Sequence, residues 1–283
     1  MAVVHLPRWN MSFGEGQPLA VIAGLNVLED LDLALKVGAE LKAACADLGL
    51  PYVFKASFDK ANRSSIKSYR GPGLLKGLQM LAAVKQALGA PVCTDLHEID
   101  QAEPVAEVAE LVQIPAFLCR QTDLIVATAR ATAARGGVMH VKKAQFLAPW
   151  DCKNILSKAR EAAPELQIML CERGASFGYN NLVVDMLAIP AMQALGVPVS
   201  IDATHAVQLP GADPRTAGGS TGGRREGVPV IAKAAVAAGA DAVFLEFHPD
   251  PDKALCDGPS CLPLDAAQGL LGTLKALHQA VRA

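Results

Sequence analysis

The stretch "LAVIAGLNV" (19–27), followed by "LDLALKVGAELKAACADLG" (31–49) and "YVFKASF" (52–58), decides the fold. The first and third runs are short and nearly unbroken in apolar residues, as strands buried on both faces are. The segment between them spaces its apolar residues three and four apart and ends on glycine, the pattern of an amphipathic helix with its stop signal. A strand, a helix and a second strand in this order predict parallel pairing through a crossover. Six further apolar runs continue the alternation: "VCTDLHE", "LVQIPAF", "VMHVKKAQF", "QIMLCERG", "VPVSIDATH" and "AVFLEFHPD". Eight candidate strands with helices between them predict an α/β chain closed as a (β/α)₈ TIM barrel. Residues 1–283 are read as one domain, with barrel over 19–283 and residues 1–18 as a short hairpin capping its bottom. A doubly wound open sheet is the runner-up. It is disfavoured because no GxGxxG follows the first strand and the glycine cluster "GGSTGGRRE" follows the seventh.

Of the 283 residues, 51% are apolar and 19% charged, enough for a substantial core. A net charge of -2 leaves no global footprint for nucleic acid or an anionic membrane, so neither is expected as a partner. Seven cysteines, an odd number without a CxxC pair, predict reduced thiols in a cytoplasmic protein. The first residues, "MAVVHLPRWNMSFGEGQP", lack the basic start and apolar core of a secretory leader. The most apolar long segment, 228–247, is interrupted by Lys233, Asp241 and Glu246 and reads as a helix followed by a buried strand.

Polar residues gather at the C-terminal ends of the candidate strands: Asn26, Lys55, Asp95, His97, Glu98, Lys142, Gln145, Glu172, Arg173, Asp202, His205, Glu246, His248 and Asp250. In a barrel these ends converge on one rim, where barrel enzymes build their sites. Taken singly, each could be the chain emerging into solvent. Lys55 inside "YVFKASF" is harder to dismiss, because a buried ammonium needs an opposing anion. The same reasoning covers Lys142, Lys143 and Arg173, and cations from several strands aimed at one mouth suggest an anionic substrate. A second cationic group, Lys60, Asn62, Arg63, Ser64 and Ser65 in "KASFDKANRSS", suits another phosphate, with a solvated basic loop as the alternative. His205, Glu246 and Asp257 could hold a divalent cation if a fourth ligand came from the first strand, where Asn26 stands; otherwise they form a hydrogen-bond network. The loop "LPGADPRTAGGSTGGRRE" reads as a mobile cover or an idle connection, and Arg224 and Arg225 at its end could hold phosphate or face solvent.

Six segments, "FKASFDKANRSSIKSYRGPG", "PAFLCRQTDL", "KKAQFLAPWD", "ERGASFGYNNLVVDM", "DATHAVQLPG" and "HPDPDKALCDGPSCLPL", together resemble the 3-deoxy-D-manno-octulosonate 8-phosphate synthase family, in matching order from about Leu19 to Leu264. The resemblance implies a commonly tetrameric barrel that condenses phosphoenolpyruvate with arabinose 5-phosphate, releases inorganic phosphate and serves lipopolysaccharide synthesis. It assigns Lys142, Arg173 and the backbone near Ala116 to the phosphate of phosphoenolpyruvate, and Ser57, Lys60 and Gln145 to its carboxylate. Lys55 and Asp95 would line the reacting centre. Asn62, Arg63 and Ser64 would receive the sugar phosphate, with part of that pocket completed by a neighbouring subunit. "KANRSS" favours the five-carbon sugar, since the related seven-carbon synthase shows a "KPRT"-like sequence there. The family has metal-dependent members with Cys after the first strand and metal-independent members with Asn. Asn26, Leu25 and "CDGPS" place this chain with the metal-independent class, so no cofactor is expected and Asn26, His205, Glu246 and Asp257 form a vestigial metal site. "LCRQTDL" and "FLAPWD" look more like the metal-dependent branch. Phe247 stands where relatives carry a small residue before "HPDP", a departure expected to alter packing near the mouth. Rivals are a silent sugar-phosphate-binding barrel, the sialic-acid-type synthases and, at Lys55, Schiff-base chemistry.

Overall fold

The computed structural model describes residues 3–213 and 221–282. Its centre is eight parallel strands: β1 (Ala20–Val27), β2 (Tyr52–Ser57), β3 (Val92–Asp95), β4 (Leu111–Ile114), β5 (Val138–Lys142), β6 (Gln167–Glu172), β7 (Val199–Asp202) and β8 (Ala242–His248). Each pairs with its neighbours in sequence, and β8 closes on β1 from Ala242↔Ala20 to Glu246↔Gly24. Helices α1 (Leu31–Leu48), α2 (Leu74–Leu88), α3 (Ala102–Val108), α4 (Thr122–Ala134), α5 (Lys153–Ala162), α6 (Ala188–Gln193), α7 (Val228–Ala237) and α8 (Ala267–Val281) follow the strands in turn. This is the expected TIM barrel. In α1 the Asp30 side chain accepts from Leu33 N at 2.8 Å, and Gly49 ends the helix at φ 63°, a left-handed conformation that suits glycine. The helix buries Ala34, Val37, Leu41, Ala44 and Cys45, the apolar stripe that the sequence displays.

Side chains alternate along each strand. Outward residues such as Val21, Ala23, Phe54 and Val112 pack against the helices. Inward residues Ile22, Val53, Cys93, Leu111, Val138, Met169 and Phe244 fill the lower barrel, and Val4, Leu6 and Phe13 join them from below. Those three come from an antiparallel hairpin of Val3–Leu6 with Met11–Gly14, the expected bottom cap. Among the described residues no helix is long and apolar enough to cross a membrane, and all seven cysteines are buried and free.

Two local features aim the upper barrel. Between β1 and β2 the register runs Gly24↔Lys55 and then Val27↔Ser57, so β1 carries one extra residue, a bulge spanning Leu25 and Asn26. The backbones are so close here that a Cβ at Gly24 would fall 2.1 Å from the Lys55 carbonyl oxygen, which only glycine permits. At β7 the strand stops at Asp202 because its side chain accepts from His205 N at 2.9 Å and caps a helical turn, Ala203–Ala206. His205 therefore sits one turn beyond the strand rather than at its end.

Phe13 is fully buried in the floor of the barrel. Truncation by Phe13→Ala is expected to destabilise the protein by about 3–5 kcal/mol, read from the denaturant midpoint; an unchanged midpoint would mean that the hairpin adds nothing to the core.

Candidate active site

Above the apolar floor the inward positions become charged, and a cavity of about 830 Å³ opens over them. The Lys55 ammonium donates to Ser57 Oγ at 2.9 Å, to Glu246 Oε1 at 3.3 Å and to the Asn26 carbonyl at 3.3 Å, and lies 3.9 Å from Asp95 Oδ1. Burial and nearby Lys60 lower its pKa against the pull of Glu246 and Asp95, so this ammonium releases a proton more readily than a solvated one. Ser57 in turn donates to Asp95, whose other oxygen meets His97 Nε2 at 3.2 Å. Burial alone would raise the Asp95 pKa, but Lys55 and the His97 hydrogen bond hold it well below the usual carboxylate range.

On the neighbouring strand the bulged Asn26 turns its amide nitrogen to both Glu246 and Asp257, the latter at 3.3 Å. His205 Nε2 lies 3.7 Å from each of those carboxylates, and its Nδ1 is 2.8 Å from Asp202 Oδ2 without hydrogen-bond alignment. The four residues read as a vestigial metal site are thus brought together, with the Asn26 amide hydrogens joining the two carboxylates and His205 beside them. Burial would raise the Glu246 pKa, but His205, Lys55 and Lys60 bring it down to about 2.

Two cationic regions flank this centre. In the first, Lys142 meets Asp202 Oδ2 at 2.5 Å, and Arg173 Nη2 donates to Gln208 Oε1 at 3.0 Å. Arg173 Nη1 and Gln145 Oε1 are buried without a protein partner, and Ala116 lines the same cavity. In the second, Lys60 is buried while Asn62, Arg63 and Ser64 line the cavity. Burial works against the Lys60 charge, yet Glu246 and Asp95 outweigh it and hold the pKa above its ordinary value. Arg63 bonds to the Cys256 sulfur and stands 3.8 Å from Asp257 Oδ1.

Some polar residues that the sequence groups at the mouth lie elsewhere. Lys143 points out of the barrel, where it meets Glu172 Oε2 at 3.4 Å and the Ala144 and Leu147 carbonyls, because it is one step out of phase with Lys142. Glu172 is likewise out of phase with Arg173 and accepts from Gly174 N at 2.6 Å. His248 faces Glu29 at 3.6 Å, and Asp250 pairs with Lys253. Phe247 also faces outward into the helix-packed core, so its bulk does not enter the mouth. Arg225 is tied to Asp252 and the Gly258 carbonyl, and Arg224 donates to the Leu182 carbonyl. Residues 214–220 of the expected cover lie outside the described residues. Gln208, absent from the sequence assignment, bridges the two regions by also donating to Asp257 Oδ2 at 2.8 Å. Its only sequence signal is its place just after "DATHAV". Gln113, buried with a free Oε1, was likewise hidden in an apolar strand.

A buried lysine among carboxylates, between two cationic pockets on a barrel rim, belongs to a recognisable lineage, for residues 3–283 match the DAHP synthetase I family. The chain belongs to that family. Its relatives include proteins named 2-dehydro-3-deoxyphosphooctonate aldolase. The one from Nitratidesulfovibrio vulgaris is 58% identical over 257 residues, 91% of each chain. That from Cupriavidus necator is 53% identical over 274 residues, covering 95% of this chain and 92% of its own. That from Geobacter metallireducens is 52% identical over 273 residues, 96% of this chain and 97% of its own.

The depressed pKa of Glu246 has a consequence for acid stability. A folded value of about 2 below the ordinary 4.5 contributes stability that is fully present above pH 4.5 and lost as pH falls toward 2. Glu246→Gln is expected to lower stability at pH 7 and to flatten the decline between those limits, measured as denaturant midpoints at several pH values. The same acid slope in both proteins would show that folding does not lower the Glu246 pKa.

Proposed function

We propose that this enzyme makes 3-deoxy-D-manno-octulosonate 8-phosphate from phosphoenolpyruvate, D-arabinose 5-phosphate and water, releasing inorganic phosphate in the cytoplasm for lipopolysaccharide synthesis. The relatives' aldolase name denotes the same eight-carbon sugar acid. The observation that carries the reading is the buried Lys55, set among Glu246 and Asp95 between two cationic pockets. Lys142, Arg173 and the backbone at Ala116 hold the phosphate of phosphoenolpyruvate; Arg173 Nη1, buried and unpartnered, is a ready donor for it. Lys60 and Gln145 take its carboxylate, together with Ser57 once that hydroxyl turns from Asp95. Asn62, Arg63 and Ser64 receive the sugar phosphate. This brings two multiply charged anions together against their mutual repulsion and orients them.

In this reading C3 of phosphoenolpyruvate forms a bond to the sugar aldehyde carbon, whose oxygen takes a proton from Lys55. Water adds at C2 and gives its proton to His205 Nε2, which lies 3.7 Å from Glu246 and from Asp257 at this wall of the site. Asp257 and Asn26 orient that water. The hemiketal phosphate then collapses: its hydroxyl returns a proton to Lys55, the C2–O bond to phosphate breaks as His205 gives its proton to the leaving phosphate, and the 2-keto acid and inorganic phosphate leave. Asp95 and Glu246 hold Lys55 in place throughout.

We infer further that the reaction proceeds without a metal. The Asn26 amide presents hydrogens to Glu246 and Asp257, and a donor nitrogen so placed cannot ligate a cation. An amide oxygen is also a weak, neutral substitute for a thiolate. The residues therefore do not fit a divalent ion. A homotetramer is supported by the exposed Phe117, Phe146, Trp150 and Phe177 on the loops after β4, β5 and β6, where a second copy would cover them and close the sugar-phosphate pocket.

Chelator-treated protein is expected to release phosphate from phosphoenolpyruvate with arabinose 5-phosphate and not with erythrose 4-phosphate. A requirement for added metal would overturn the metal-free reading, and release with erythrose 4-phosphate alone would overturn the sugar assignment. Lys55→Ala is expected to lower kcat by about 10²–10⁴-fold with the far-UV circular dichroism of the barrel retained; full turnover would remove Lys55 from the mechanism.

A further inference from the structure

Phe244 lies on β8, fully buried, one inward step below Glu246. Lys142 Nζ stands 3.8 Å from its ring centroid and Lys55 Nζ 5.3 Å. The imidazoles of His205 and His140 are centred 6.1 and 6.3 Å away. No step of the reaction uses this ring, yet the buried Lys55 and Lys142 both converge on it.

A buried ammonium needs electrostatic compensation, and a carboxylate provides it by engaging one of the ammonium's hydrogens. An aromatic face attracts the cation through its quadrupole and needs no conventional hydrogen bond. Lys142 has both kinds of partner, Asp202 at 2.5 Å and the ring, so it keeps hydrogens for an incoming anion. The ring also offsets repulsion between Lys142 and Lys55 without adding a negative charge that would repel phosphate.

We propose that Phe244 is a positioning residue whose ring holds the Lys142 and Lys55 ammonium groups and aims Lys142 at the phosphate of phosphoenolpyruvate. The inference rests on the assignment of Lys142 to that phosphate. Site-specific replacement of Phe244 by phenylalanine carrying one, two and three ring fluorines weakens the negative face with little change of shape. KM for phosphoenolpyruvate is expected to rise with each fluorine, to about 10-fold for three, while the denaturant midpoint stays near that of the parent. The trifluoro residue at Phe247, on the same strand but facing the helices, is expected to leave KM unchanged. Lys142→Met separates the two readings. If it raises KM strongly while the fluorine series is flat, Phe244 is packing alone and the proposal is overturned. If it leaves KM unchanged, the assignment of Lys142 falls and the proposal falls with it.

Discussion

Lys55 and Lys142 are held inside a closed barrel, where an ammonium without a counter-charge would cost far more than the surrounding packing could offset. Their carboxylate partners come from other strands: Asp95 from β3 and Glu246 from β8 for Lys55, Asp202 from β7 for Lys142. The Lys55–Asp95 pair joins adjacent strands and the Lys142–Asp202 pair spans one intervening strand, whereas Lys55 and Glu246 meet across the β8–β1 seam, so that counter-charge is in place only when the ring of strands is closed. Closure thereby sets the chemistry of the mouth around Lys55.

That arrangement is layered. The hairpin plug and the lower inward residues exclude water beneath the site, and the upper inward residues carry the charge. Low polarity below strengthens each ion pair above. The β1 bulge is the adjustment that lets Asn26 meet Glu246 and Asp257, and Gly24 lets the strands approach closely enough to make it.

Much of this was legible in the residue order. The eight apolar runs became the eight strands because a parallel strand covered on both faces has to be apolar almost throughout. Asn26, Lys55, Asp95, Lys142, Arg173 and Glu246 were found as polar residues interrupting or ending such runs, Asp257 as a candidate ligand in the loop after the eighth, and all meet around one cavity. Lys143 and Glu172 misled because adjacent residues on a strand face opposite sides, and a list of strand-end charges ignores that phase. Gln208 escaped because it lies beyond β7 in a strand of two residues, Gln208–Leu209, too short for a period to mark direction. Phe244 escaped because an aromatic residue in an apolar strand looks like core wherever it points.

By itself the sequence determined the alternation of strand and helix, the barrel it implies and the charged residues at the strand ends, because these follow from local periodicity and residue type. Only the tertiary structure decided which charges face one another. Partners 191 residues apart in sequence, as Lys55 and Glu246 are, meet through barrel closure, bulge and register, none of which a local pattern encodes.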